Sequence, residues 1–152
     1  MLQVRPDSHW LLLADLELAR AAIGQGDGSR AVSLIDTAFA RDLDTPTSPE
    51  GRQLLTRLHG ANAEALRLGG EPAAAAKEAL GHLASLQESE PRAGSWEPQL
   101  AALVQKICGQ ESAIPDCDSA GPLLRSTAER FSSLERISPL ERSALDRLRT
   151  AD

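Results

Sequence analysis

Three stretches of this chain repeat one pattern of turn and small residues. Gly26-Asp27-Gly28-Ser29-Arg30-Ala31-Val32 is echoed by Gly70-Glu71-Pro72-Ala73-Ala74-Ala75-Ala76, and again by Asp116-Cys117-Asp118-Ser119-Ala120-Gly121-Pro122. The small residue opening the run that follows falls at Ala31, at Ala75 or Ala76, and at Ala120, a period of about 44 residues. Self-similarity at a period of roughly 20–50 residues marks an array of short structural units. Each unit here holds two apolar stretches about a turn. One such pair cannot cover both its faces alone, so neighbouring pairs must stack and share a core.

The units are helical. The chain has no Tyr, two Phe and two Trp among 152 residues, and leans on Ala, Leu, Arg and Glu, all good helix formers. Strands favour β-branched and aromatic side chains, which are scarce here. The fold class is therefore all-α, in one domain over residues 1–152.

Apolar spacing and stop signals predict seven helices. The first starts near Asp7 or Ser8, carries Trp10, Leu13, Leu16, Leu18 and Ile23, and ends at Gly24, Gly26 and Gly28. The second runs over 29–41 with Ala31, Leu34, Ile35, Ala38 and Phe39 on its apolar side. Residues 42–48 are loop chemistry, and Thr47-Ser48-Pro49-Glu50 starts a helix, by capping-box spacing or with Pro at the first helical position. That third helix carries Leu54, Leu55, Leu58, Ala61, Ala65 and Leu66 and stops at Gly69-Gly70. Pro72 opens the fourth, with Ala75, Ala76, Ala79, Leu80, Leu83 and Leu86 inward. The fifth begins within 95–98 and shows Leu100, Leu103, Val104 and Ile107 at i, i+3, i+4, i+7. After an irregular stretch, 109–118, the sixth is expected over 119–137, burying Leu123, Leu124, Ala128, Phe131 and Leu134. Ser138-Pro139-Leu140-Glu141 is a second capping box opening a last helix over 139–150, with Leu140, Ala144, Leu145 and Leu148 inward. Arg142, Asp146, Arg147 and Arg149 lie opposite that stripe, which suits a helix capping one end of the stack.

Helix, tight Gly or Pro turn, and a small residue at the crossing together resemble the tetratricopeptide repeat. Ala19, Gly26, Ala31 and Ala38 match its small-residue pattern in the first unit, and Ala63, Gly70 and Ala75 in the second. In the third, Cys108 and Ala120 take the small positions and Pro115 replaces the turn glycine. The aromatic consensus positions are missing. The period exceeds the usual length of about 34 residues, which is similar to the kinesin-light-chain-like subtype. The resemblance implies helix pairs at 8–41, 48–88 and 95–137, a right-handed α-solenoid, and the capping helix 139–150. An irregular helical repeat or helix bundle is the alternative architecture.

The resemblance also implies a protein or peptide partner held in a concave groove lined by the first helix of each pair. Arg20, Arg57, Glu64, Arg67 and Gln105 then point into that groove. Three arginines there suit a carboxylate-bearing peptide, since Arg pairs bidentately with carboxylates. The plainer reading is a set of solvated helix faces with i, i+4 pairing. Such arrays commonly accompany a kinase or a transcriptional activator in larger bacterial proteins, and high Ala, Leu, Arg and Gly usage points to a GC-rich bacterial source. The alternative function is a self-associating structural subunit or secretion-type chaperone. In that reading a homodimer covers Leu13, Leu16 and Ile23, more than one neighbouring helix can cover.

The remaining chemistry is sparse. A net charge of −6 argues against a nucleic-acid binder, which needs a clustered basic face. No apolar run approaches the roughly 20 residues of a membrane span, so no membrane insertion is expected. The N-terminal stretch reads as a helix start and not as a signal peptide, because Asp15 and Glu17 interrupt it. His9, His59 and His82 stand in no metal-ligand spacing and read as solvated or packing residues. Gly24 to Gly28 follows no strand, so it is a helix connector and not a phosphate loop. No serine stands in a nucleophile-elbow context. No catalytic residue, metal or cofactor is assigned. Cys108 and Cys117, nine residues apart, allow two readings: a disulfide over the irregular connector, or two unrelated thiols. The thiol reading goes with a cytoplasmic protein, and the disulfide with a periplasmic or secreted one.

Overall fold

The structure is a computed structural model and describes residues 8–40, 49–110, 114–134 and 136–150. The side chains of residues 8–10, 110, 149 and 150 are not described. Among the described residues there are seven α-helices and no strand: α1 (Ser8–Gly24), α2 (Gly28–Ala40), α3 (Pro49–Leu68), α4 (Pro72–Leu86), α5 (Glu97–Gln110), α6 (Ala120–Ser132) and α7 (Pro139–Thr150). A 3-10 segment, Pro115–Ser119, leads into α6. The loop at 42–48, and Thr47 and Ser48 as caps, lie outside the described residues.

The first two pairs turn in the same way. After α1, the amide of Gly26 donates to the carbonyl of Ile23 and that of Asp27 to Ala22, each at 2.9 Å. After α3, Gly70 donates to Arg67 at 3.1 Å and Glu71 to Leu66 at 2.9 Å. This paired bonding closes a helix through one left-handed residue. Gly26 and Gly70 supply it, with φ of 75° and 82°, where any Cβ would be strained. The pairs differ only in the restart. Asp27 caps α2 by accepting from the Arg30 amide at 3.1 Å, whereas α4 starts with Pro72 and has no side-chain cap.

α3 lies at the centre. Its Leu54, Leu58, Ala61 and Ala65 join Leu12, Leu16, Ala19, Ala31 and Ile35 in one buried cluster with α1 and α2. Its Ala63 faces the other way, into a second cluster with Ala75, Ala79 and Leu83 of α4 and Leu100, Val104 and Ile107 of α5. α1 packs on both α2 and α3, α3 on both α4 and α5, and α5 on both α6 and α7. Leu16 is buried, and Leu13 and Ile23 pack partly against the first cluster, so two neighbouring helices cover what one could not. Ala31 and Ala120 are buried where α2 and α6 begin. Leucine at either position is expected to lower stability by about 1–3 kcal/mol through overpacking. Thermal unfolding of each variant measures this, and an unchanged melting temperature would contradict the crossing assigned to these residues.

Three expectations are corrected. α6 stops at Ser132, not 137. There the hydroxyls of Ser132 and Ser133 donate to the carbonyls of Glu129 and Arg130, at 2.7 and 3.2 Å, a local alternative to continued helix. Leu140 points outward and is 73% exposed. The buried stripe of α7 runs Glu141, Ala144 and Leu145, with Leu148 partly covered, and Leu140 lies about 100° around from Glu141. Leu18 and Phe39 are exposed, although both were expected on buried faces.

The capping box at α7 forms as expected. The Glu141 amide donates to Ser138 Oγ at 3.2 Å, and the Ser138 amide to Glu141 Oε1 at 3.1 Å. The same carboxylate accepts the Gly94 amide, 2.9 Å to each oxygen, which ties the α4–α5 connector to α7. Cys108 and Cys117 are joined by a disulfide, with Cα atoms 5.6 Å apart. It fastens the 3-10 segment to α5 beside buried Ile114. A closed loop this short stabilises by about 2–3 kcal/mol.

Candidate functional site

With two sides of α3 committed to the two clusters, about 100° per residue leaves two further faces between them. One carries Arg57, Gly60 and Glu64, and the other His59, Asn62 and Leu66.

The first face holds the residues expected in the groove, and it divides in two. At the α1 end, Arg57 is partly buried and its guanidinium lies below the ordinary arginine range. Burial is the main cause and the charge of Arg20 adds to it, while Glu17 opposes them. Arg20 and Glu17 are well exposed and approach to 4.0 Å along α1. At the α5 end, Arg67 Nη2 meets Glu64 Oε2 at 3.2 Å, and Glu64 Oε1 lies 3.9 Å from Lys106 Nζ. Gln105 is turned to α7, where its amide donates to the Arg147 carbonyl at 3.4 Å. Of the three arginines, Arg67 is therefore engaged by Glu64, and the like-charged neighbours are Arg20 and Arg57.

The connector between α4 and α5 borders this face. Gln53 Nε2 donates to the Gly94 carbonyl at 2.9 Å. The Trp96 ring lies over Gly60, so close that a Cβ there would stand 2.8 Å from a ring carbon. Trp96 has φ of 72°, a left-handed conformation that is uncommon for a bulky side chain and costs of order 1–3 kcal/mol. It is held by the clamp on Gly94, fixed to α3 through its carbonyl and to α7 through its amide. Arg57 lies between Gln53 and Gly60, about one turn from each.

On the opposite face the structure brings together residues that the sequence left apart. His59 of α3 and His82 of α4 stack with centroids 4.1 Å apart and planes inclined by 18°. Phe39 of α2 approaches His59 at 4.9 Å, tilted by 35°. His59 Nδ1 lies 2.5 Å from Glu78 Oε1. His82 Nε2 lies 3.0 Å from Thr56 Oγ1, and that hydroxyl also reaches the Arg52 carbonyl at 3.1 Å. A hydroxyl has one proton. Given to Arg52, it leaves Thr56 to accept, so His82 is the donor and carries its hydrogen on Nε2.

The electrostatics follow from this packing. Burial, and then the nearby His59, push His82 down to about 4, with Glu78 acting against them. The hydrogen bond from His59 holds the Glu78 carboxyl below its ordinary value against the effect of burial, and Asn62 assists. At neutral pH His82 is therefore an uncharged donor inside a helix contact. Beside the pair, His59, Leu66, Lys77, Glu78, Gly81 and His82 line an open depression of 540 Å³. Read alone, His59 and His82 are solvated or packing residues. The one local signal was Glu78 and His82 at i, i+4 on a helix. His59 and Thr56 join them only across the α3–α4 hairpin.

A further buried cluster joins α4, α5 and α6. Glu97 accepts from Thr127 Oγ1 at 2.8 Å and from Arg130 through both carboxylate oxygens, each at 3.2 Å. Arg130 also donates to the carbonyls of Leu86, Gln87 and Ser89 at the end of α4. Its groups are mutually engaged and secure helix ends. Among the described residues no group of three or more His, Cys, Asp or Glu side chains is arranged to hold a metal ion, and no helix is long and apolar enough to cross a membrane. No protein-family model, curated protein or solved structure matches this chain.

Proposed function

We propose that this chain is a tetratricopeptide-like helical-pair module that binds a partner protein or peptide on the face shared by α1, α3 and α5. The observation that carries the reading is the order of helix contacts. Each first helix packs on its own second helix and on the next first helix, as α1 does on α2 and α3, and α3 on α4 and α5. Stacked pairs in a solenoid meet in this order. The repeated Gly26 and Gly70 turns support it, and α7 serves as the cap over the last pair.

The Arg20–Arg57 end is the part of that face best suited to an anionic group of the partner. Two like charges on neighbouring helices, one partly buried, gain from a carboxylate that neutralises both. At the Arg67–Glu64–Lys106 end a carboxylate already stands between the two cations, 3.2 Å from Arg67 and 3.9 Å from Lys106, whereas at the other end Glu17 lies 4.0 Å from Arg20 on the exposed surface of α1. The reading assigns no catalytic residue, and it treats the His59–Glu78 pair as a helix-to-helix contact. The Cys108–Cys117 bond supports an oxidising compartment over the cytosol.

Affinity capture from native lysate, with wild type beside an Arg57→Glu, Arg67→Glu double variant, tests the proposal. The variant is expected to keep its helical circular-dichroism spectrum and to lose the protein that wild type retains. Equal retention by a folded variant would refute the face assignment.

A further inference from the structure

At the His59–His82 pair α3 and α4 meet through titratable side chains, with Phe39 of α2 beside His59. His59 bonds across the hairpin to Glu78, and His82 bonds back to Thr56, so each helix donates an imidazole and supplies the other's acceptor. Phe39 of α2 approaches the His59 ring alone, at 4.9 Å. The charged groups whose fields reach His82 are His59 from α3 and Glu78 from α4, and Lys77 lines the same depression.

The carboxylate in contact with the pair, Glu78, faces His59 and is the counter-charge of that ring when it is protonated. His82 has no such partner. Protonation of both would put two cationic rings face to face at 4.1 Å, with the carboxylate already engaged and Thr56 accepting only one bond from the new charge. Separation of the rings relieves the repulsion and lets water reach both. The rings sit in the α3–α4 contact, so separation moves α4 away from α3.

We propose that the stacked His59–His82 pair is an acid-operated latch: protonation of both rings releases α4 from α3 at the level of Thr56. The sign follows from linkage. His82 binds its proton near 6.5 when the contact is open and near 4 when it is closed. The contact is therefore at full strength above about pH 6.5, weakens as pH falls from 6.5 to 4, and levels off below that. Glu78, held low in the closed state, adds to the loss at the acid end because it must take up a proton there.

Native-state hydrogen exchange at pH 7 and pH 5, corrected for the intrinsic rate at each pH, reads the latch directly. Protection of amides in α4 around His82 is expected to fall on the order of tenfold, with α6 and α7 amides changing much less. His82→Gln keeps an N–H donor for Thr56 but does not titrate, and should remove the pH dependence while leaving α4 protected at pH 7. His59→Gln serves as a second variant and should reduce the dependence, because the repelling charge is gone. A uniform pH response across all helices, or one that persists in His82→Gln, would overturn the proposal. So would titration of the His82 Cε1 proton near 6.5 with α4 still protected.

Discussion

Replacing Glu97 with alanine should lower stability by about 3–5 kcal/mol, the range for removing one partner of a buried ion pair. Glu97 is 2% exposed, and its two oxygens satisfy Arg130 bidentately and accept from Thr127. Without the carboxylate, a largely buried guanidinium keeps only carbonyl acceptors at the end of α4, and Thr127 loses its acceptor. The cost lies in that stranded charge more than in the lost pair. A double variant, Glu97→Gln with Arg130→Met, should therefore cost clearly less than the two single changes added together. Urea unfolding of Glu97→Ala, and of the four proteins in the Glu97→Gln, Arg130→Met cycle, measures both effects. A loss below 1 kcal/mol for Glu97→Ala, or strict additivity in the cycle, would show that the cluster does not secure α4 to α5 and α6.

Gly28→Ala should also be strongly destabilising, although alanine is the better helix former. Gly28 opens α2 with its Cα against the last turn of α3. A Cβ there would stand 2.6 Å from the Ala65 carbonyl oxygen, 2.9 Å from the Gly69 nitrogen and 3.2 Å from Leu68 Cβ. Two of these are backbone atoms in a turn already fixed by the Gly70 closure, so they cannot give way cheaply. A net loss of about 2 kcal/mol or more is expected once α2 shifts away from α3. Gly81→Ala is the control. It is a helical glycine with nothing within 4 Å of the added Cβ, and should gain up to about 1 kcal/mol from helix propensity. Thermal unfolding of both variants decides the matter. Similar melting temperatures for the two would mean that the α2–α3 approach is looser than the structure has it.

The glycines show how far the sequence could be read. Gly24, Gly26 and Gly28 look alike as a helix stop, yet they do different things. Gly26 takes the left-handed position, Gly28 permits a close approach, and Gly24 meets nothing. That glycine ends each of these helices was legible, because closure of a helix is a local event and recurs at Gly70; which glycine takes the left-handed position was not. The close approach depends on residues 65–69, which a local pattern cannot place. Glu141 is a similar case. Its capping box with Ser138 was legible at a spacing of three residues, whereas its hold on Gly94 was not.

The same division runs through the candidate sites. The tetratricopeptide resemblance singled out Arg20, Arg57, Glu64, Arg67 and Gln105. The Glu64–Arg67 pair, three residues apart on one helix, is local and in keeping with the plainer helix-face reading, whereas the turn of Gln105 to α7 and the approach of Arg57 to Arg20 depend on how neighbouring helices are set side by side. Trp96 carried no local signal for its conformation, which rests on Gln53 and Glu141 gripping Gly94 from two other helices.

By itself the sequence determined the helical class, most helix boundaries, the turn at each glycine closure and the second capping box. All of these rest on interactions spanning a few residues, where spacing along the chain is spacing in space. The tertiary structure alone decided that Glu97 pairs with Arg130, that Leu140 faces out while Glu141 faces in, and that His59, His82, Glu78 and Thr56 form one coupled group. Those outcomes depend on burial and on partners tens of residues away, and burial is what turns an ordinary imidazole into one that resists its proton.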